Sequence, residues 1–147
     1  MGRLTKFWLL TRREKKLFCE AITLLSLSNT CVKIVAFKHI YRFLCRHWNE
    51  TAKGITCEQE VRLVQRSILR AANALPWKSL CLSRSIAEFI MLRRRGIPAV
   101  LFAGVRLSDR YSLDAHAWVD TGLGGHYKSS NNSAFSPLIR IGTGAVD

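Results

Sequence analysis

The spacing of apolar residues in this chain changes once, at Ile97-Pro98, from helical to alternating, and that switch confines it to helices first and a sheet second. Upstream, EKKLFCEAITLLSLS (residues 14–28) carries apolar side chains at 17, 18, 21, 22, 24, 25 and 27, a wide stripe suited to a packed helix. A second helical stretch, 31–47, sets Ile34, Val35, Phe37, Ile40, Tyr41 and Leu44 on one side and Lys33, Lys38, Arg42 and Arg46 around the other, with Asn29 and Thr30 as the expected break. Lys53-Gly54 marks a turn. TCEQ then offers Thr56 as N-cap with Gln59 three residues on, a capping-box pattern, before a helix whose apolar side is Val61, Val64, Ile68, Leu69 and Ala72. After Pro76-Trp77 the last helix has Ser79 as its expected N-cap and Leu82, Ile86, Phe89 and Ile90 at helical spacing. Cations at 93–95 and Gly96 just beyond them are stop signals for that helix. Downstream, AVLFAGVR (99–106) reads as a buried strand, LSDRYSLD as a polar loop, and AHAWVDT (115–121) as an alternating strand. GLGG turns the chain, HYKSS (126–130) reads as a return strand and SPLIRIG as the last one. The predicted class is α+β, with a small antiparallel sheet.

A length of 147 residues with 48% apolar content supports one compact domain, in which a basic helical part up to residue 55 precedes a core over 56–147. Lysine and arginine outnumber aspartate and glutamate 23 to 10, a formal charge of +13. Such a field favours an anionic partner without choosing among nucleic acid, membrane surface and acidic protein. The basic face of the 31–47 stretch is a solvated surface or a docking face. The cysteines, Cys19, Cys31, Cys45, Cys57 and Cys81, are odd in number and form no C-x-x-C pair, which argues against a disulfide framework or a zinc site. His39, His47 and His126 add no ligand spacing beyond Cys45-x-His47, so neither a metal nor another cofactor is expected. Glu20, Lys33 and Lys38 interrupt the apolar stretches, so no membrane span is expected. The N-terminal run FWLL is too short for a signal peptide, and MGRLTK lacks the Ser or Thr of a myristoylation motif. A cytoplasmic, reduced protein fits these features.

Cys81 falls in the first turn of the last helix, where unpaired backbone N–H groups and the positive end of the helix dipole favour an anion. Alternation in AHAWVDT puts His116, Trp118 and Asp120 on one strand face and Ala115, Ala117 and Val119 on the other. A cysteine at a helix start and a histidine on a later strand are the two parts of a thiol nucleophile with its base. The imidazole takes the thiol proton and returns it to a leaving amine, while first-turn N–H groups face an oxyanion. Trp77 and Trp118 are expected to pack in the core, and Glu88 to be a solvated or ion-paired surface residue.

The run CLSRSIAEFIMLRRRGIPAVLFAGVR followed by DAHAWVD resembles the transglutaminase-like cysteine proteases of lasso peptide biosynthesis, leader peptidases related to the C-terminal part of the microcin-processing B protein. The resemblance covers residues 76–121, and the pairing of CL with RRRGI and AHAWV carries it. It implies a papain-like, transglutaminase-like fold, Cys81 as nucleophile and His116 as general base and acid. The family's third member is an aspartate about a dozen residues after the histidine, but Lys128 stands there. Allowing for the GLGG turn brings Ser130, Asn131 or Asn132 to that place, and an asparagine can accept the ring N–H as in papain-like triads. Asn131 is the preferred candidate and Asp120 the competing one, although Asp120 lies four residues along the same strand, roughly 13 Å away. The resemblance further implies a precursor peptide as substrate, an asparagine-synthetase-like cyclase as the next enzyme, and a separate leader-recognition protein. No winged-helix-like recognition domain is read before residue 56. The alternative is a non-catalytic basic helical module binding nucleic acid or an acidic protein, but no helix-turn-helix, zinc finger or aromatic-interleaved basic strand is visible.

Overall fold

The computed structural model describes residues 8–48, 54, 57–107, 112–123 and 134–142. Four helices, α1 (Arg12–Ile34), α2 (Phe37–Trp48), α3 (Glu58–Ala74) and α4 (Cys81–Arg94), precede strands β1 (Val100–Leu107), β2 (Leu113–Asp120) and β3 (Ser136–Ile141). The sheet is antiparallel in the order β2-β1-β3. The α+β class and the order of elements agree with the sequence reading. The expected return strand at 126–130 lies outside the described residues.

α4 is the middle of the molecule. α1 and α3 pack on each other and on one side of it, and β1 and β2 pack on the other. Its Ile86, Ala87, Phe89, Met91 and Leu92 are buried. They join Leu17, Ala21 and Leu25 of α1, Leu44 of α2, Val61, Val64 and Ile68 of α3, and Leu101, Val119 and Ile141 of the sheet in one apolar cluster. A large apolar side chain buried this completely stabilises the fold by roughly 1.5–3 kcal/mol. Leu69 is exposed, contrary to the helical-stripe reading, and Ala71 is buried in its turn of α3.

α1 differs most from expectation. It runs without a break through Asn29 and Thr30 and ends only at Val35. The Thr30 hydroxyl donates to the Ser26 carbonyl (2.9 Å) one turn back, and Asn29 is buried with its Oδ1 accepting from the Ser83 hydroxyl (3.4 Å). Neither polar side chain competes with the helix backbone. The helix opens on a capping box at Thr11 and Glu14: the Thr11 side chain accepts from the Glu14 N–H, and the Glu14 carboxylate accepts from the Thr11 N–H. Those hydrogen bonds, with Arg70 beside it, hold the Glu14 carboxyl below its ordinary range. With 23 residues and a mean hydropathy of 1.3 over its most apolar stretch, α1 is long and apolar enough to cross a membrane by length and composition alone, unlike the sequence reading. In this fold Leu17, Ala21 and Leu25 of its apolar stripe are buried, while Leu27 and Ile34 are exposed. α3 begins at Glu58 after Cys57, which makes no side-chain cap. Thr56 lies outside the described residues.

The C-terminal end of α4 is stopped by a Schellman motif. The Gly96 N–H donates to the Arg93 carbonyl (3.0 Å) and the Ile97 N–H to the Leu92 carbonyl (3.1 Å), with Gly96 at φ 72° and Ile97 buried. The three arginines before it tie layers together. Arg94 and Arg95 converge on Glu20 of α1 at 3.3 and 2.5 Å, and the buried Arg93 donates to the Trp48 carbonyl at the end of α2 (2.9 Å).

Glu88 is no surface residue. Its Oε1 accepts from Gln65 Nε2 (2.8 Å) across the α3–α4 contact, and burial pushes its carboxyl up to about 7. Among the described residues Gln65 Oε1 is buried with no partner, so only a protonated Glu88 could complete the amide–acid pair. The carboxyl is neutral in both states well below pH 4.5. As pH rises through that value the unfolded chain ionises first, so stability falls between about pH 4.5 and 7 and then levels. Glu88→Gln should flatten this fall and raise stability above pH 7 by up to about 3 kcal/mol, read as urea midpoints across pH; an unchanged pH profile would contradict the assignment.

Candidate active site

Cys81 is the first residue of α4. The residue in the N-cap position is Leu80, in extended geometry (φ −69°, ψ 151°), and no side chain caps the helix. Ser79, the expected cap, has its hydroxyl occupied instead as acceptor for Arg84 Nε (2.7 Å). Leu80 has no side-chain acceptor to offer, so the first-turn N–H groups beside Cys81 keep their donor capacity. The Cys81 side chain is exposed, and all five cysteines are free thiols.

His116 lies in the middle of β2, paired in register with Gly104 of β1. Alternation sorts the sheet as expected. Leu101, Val119 and Ala117 turn to the helices, and the Ser85 hydroxyl of α4 donates to the Ala117 carbonyl (2.9 Å). On the other face the His116 ring stacks with Trp118 (centroids 5.9 Å, 18°) and tilts against Phe135 (5.1 Å), and Trp118 stacks on Phe102 (5.6 Å). Arg106 sits over the Phe135 ring (4.7 Å) and pairs with Asp114 (3.1 Å). Gly104 makes room for this row. A Cβ there would stand 2.6 Å from the Ser136 carbonyl oxygen and 3.1 Å from the Trp118 ring, at the point where the β1–β3 register shifts. Trp118 is thus held in an aromatic stack, whereas Trp77 is exposed and not in the core.

A cavity of about 190 Å³ opens where the start of α4 meets the sheet. Cys81 and His116 both line it, with Leu82, Ala103, Val105, Ala115, Ala117, Leu138 and Ile139 supplying apolar walls. Among the described residues, no titratable residue other than Cys81 and His116 lines it. Ala115 and Ala117 were readable from the strand pattern, but that Ala103 of β1 and residues of β3 would complete the wall was not, because the pairing of the strands leaves no mark in the sequence.

Asp120 is not part of this cavity. It pairs with Val100 at the far end of β2, and its Oδ1 accepts from the Gly122 N–H (2.9 Å), an Asx-type turn that occupies the carboxylate. Asn131, with Ser130 and Asn132, lies outside the described residues. Among the described residues no three His, Cys, Asp or Glu side chains cluster as metal ligands would.

A thiol beside open helix N–H groups and a histidine on a strand bordering the same cavity are the residue types needed for acyl transfer through a thioester; in this structure the His116 ring itself lies on the far face of the sheet, against Trp118 and Phe135. No curated protein and no solved structure matches this chain. The sequence profile of the transglutaminase-like superfamily, by contrast, matches residues 29–140, a span that takes in α2, α3, α4, β1, β2, all of β3 but its last residue, and both Cys81 and His116. The chain belongs to the transglutaminase-like superfamily.

Proposed function

We propose that this protein is a cysteine peptidase that removes the leader from a ribosomally made lasso precursor peptide. The observation that carries the reading is one shared cavity of about 190 Å³, bordered by Cys81 at an uncapped helix start and by the stretch of the neighbouring strand that holds His116. Membership of a superfamily that includes cysteine peptidases supports it, as does the resemblance of CL, RRRGI and AHAWV to the lasso leader peptidases.

In this mechanism His116 accepts the thiol proton and the Cys81 sulfur attacks the carbonyl carbon at the leader–core junction. The first-turn N–H groups of α4 donate to the oxyanion. His116 then passes its proton to the departing core amine, the C–N bond breaks, and the leader is left as a thioester on Cys81. Water, deprotonated by His116, adds to the thioester and releases the leader acid and the thiol. The freed α-amine is the group that an asparagine-synthetase-like cyclase would join to a side-chain carboxylate. A separate leader-recognition protein would bring the precursor, and the five free thiols suit a reducing, cytoplasmic setting.

Asn131 is proposed as the group that orients the His116 ring. Asp120 is the weaker candidate, because its carboxylate is already engaged at Gly122. Incubation with a precursor peptide and its leader-binding partner, followed by mass spectrometry, tests the scheme. Cys81→Ala should abolish cleavage at the single junction, and His116→Ala should slow it by about 10²–10⁴-fold. Cleavage that survives Cys81→Ala would refute the mechanism, and salt-sensitive nucleic-acid binding without cleavage would favour a basic binding module. Asn131→Ala should slow turnover more than Asp120→Ala, as measured by initial rates at saturating precursor; the reverse order would move the orienting role to Asp120.

A further inference from the structure

A second cavity, of about 310 Å³, lies away from Cys81 between the C-terminal half of α1, the His39–Leu44 part of α2 and the middle of α4. Its floor includes Ile86 and Ile90 of α4. Its edges include Leu27 and Val35 of α1 and Phe43 of α2, all three exposed, Leu27 and Phe43 by more than half. Apolar side chains of this size, grouped around a groove, mark a surface that another apolar face covers.

Charge says what kind of face. No Asp or Glu occurs between Glu20 and Glu50, a span that includes all of α2 and the α1 wall of the groove. On α2 the groove is lined by His39, Ile40, Phe43 and Leu44. Lys38, Arg42 and Arg46 recur every four residues and form the row next to His39 and Phe43, bordering the open edge of that wall. All three are exposed. Along α1, from Leu24 to Cys31, the wall is about 10 Å long at the helical rise, or about two turns of a helix laid alongside it. A flat bilayer would meet Phe43 and Leu27 but not the isoleucines beneath them, whereas side chains projecting from a narrow rod reach both.

We infer that the α1–α2 groove is a docking site for an amphipathic helical segment of a partner protein, with its apolar side in the groove and an acidic side against Lys38, Arg42 and Arg46. The site does not depend on the chemistry at Cys81, and Cys81→Ala leaves it intact. Binding of this kind combines apolar anchors spaced at i, i+3, i+4 and i+7 with a salt-dependent steering charge.

The test uses a fluorescein-labelled peptide with Leu and Phe at those positions and Glu on its opposite face, titrated with the full chain by anisotropy. Two controls accompany it: a scramble of the same composition and a version with Lys in place of Glu. The acidic amphipathic peptide should bind, and both controls should bind at least about tenfold more weakly. Phe43→Asp and Leu27→Asp should each weaken binding about tenfold or more, the usual cost of losing an interface anchor. Because both side chains are exposed, circular dichroism should show the variants folded. Gln at 38, 42 and 46 together should weaken binding and flatten its salt dependence while leaving the groove in place. Equal binding of the scrambled peptide, or indifference to Phe43→Asp in folded protein, would overturn the inference. It would also be overturned if the protein bound vesicles of phosphatidylcholine and phosphatidylglycerol but not the peptide. Formation of a dimer that Phe43→Asp dissolves, with no peptide binding, would assign the groove to a second copy of the chain instead.

Discussion

The burial of α4 is the constraint on which everything else in this fold rests. A helix of 14 residues with Ile86, Ala87, Phe89, Met91 and Leu92 all inaccessible must be covered on both sides, and neither a helical layer nor a three-stranded sheet could do that alone. The polar residues on it are placed accordingly. Ser83 reaches Asn29 of α1, Ser85 reaches the β2 backbone, and Glu88 reaches Gln65 of α3, so each neighbouring layer is met by a side-chain hydrogen bond as well as by apolar contact. A change of α4 register by one residue would misplace all three at once.

The two ends of α4 are built on opposite plans. At the C-terminal end a Schellman motif satisfies the last carbonyls, Arg94 and Arg95 pair with Glu20 of α1, and Arg93 Nη2 donates to the Trp48 carbonyl of α2. The RRRGI motif is therefore accounted for by architecture. The N-terminal end projects to a cavity edge with Cys81 exposed and Arg84 turned back to Ser79. The Ser85 bond to the Ala117 carbonyl, one residue past His116, fixes where β2 lies relative to that end of the helix. Positions of the nucleophile and base candidates thus follow from one helix and one hydrogen bond to a strand.

Much of this was readable from the residues. The change of period at Ile97-Pro98 is the boundary between α4 and β1, and β1 and β3 match their predicted spans within a residue because apolar runs flanked by turn signals are local features. What could not be read depended on distant partners. Asn29-Thr30 looked like a break, yet burial against Ser83 and a back-bond to Ser26 keep it helical. Glu88 looked solvated, yet it is buried in the fold and its carboxyl accepts a hydrogen bond from Gln65 of α3. The TRRE capping box at Thr11–Glu14 is a local pattern, set three residues ahead of the apolar stripe that begins at Leu17. The helix start at Cys81 and the strand that carries His116 were legible from local spacing; that Ala103 and β3 would join Ala115 and Ala117 in the cavity wall required the sheet order.

The contrast between Thr11 and Leu80 has a thermodynamic side. α1 carries a reciprocal side-chain cap, and α4, the most buried helix in the molecule, carries none. A serine, threonine or aspartate in place of Leu80 would ordinarily add about 1 kcal/mol to such a helix. The fold forgoes that increment at the one helix start that carries Cys81. Leu80 is the kind of position at which stabilisation by consensus-style engineering would be easiest to obtain and most apt to trade activity for rigidity.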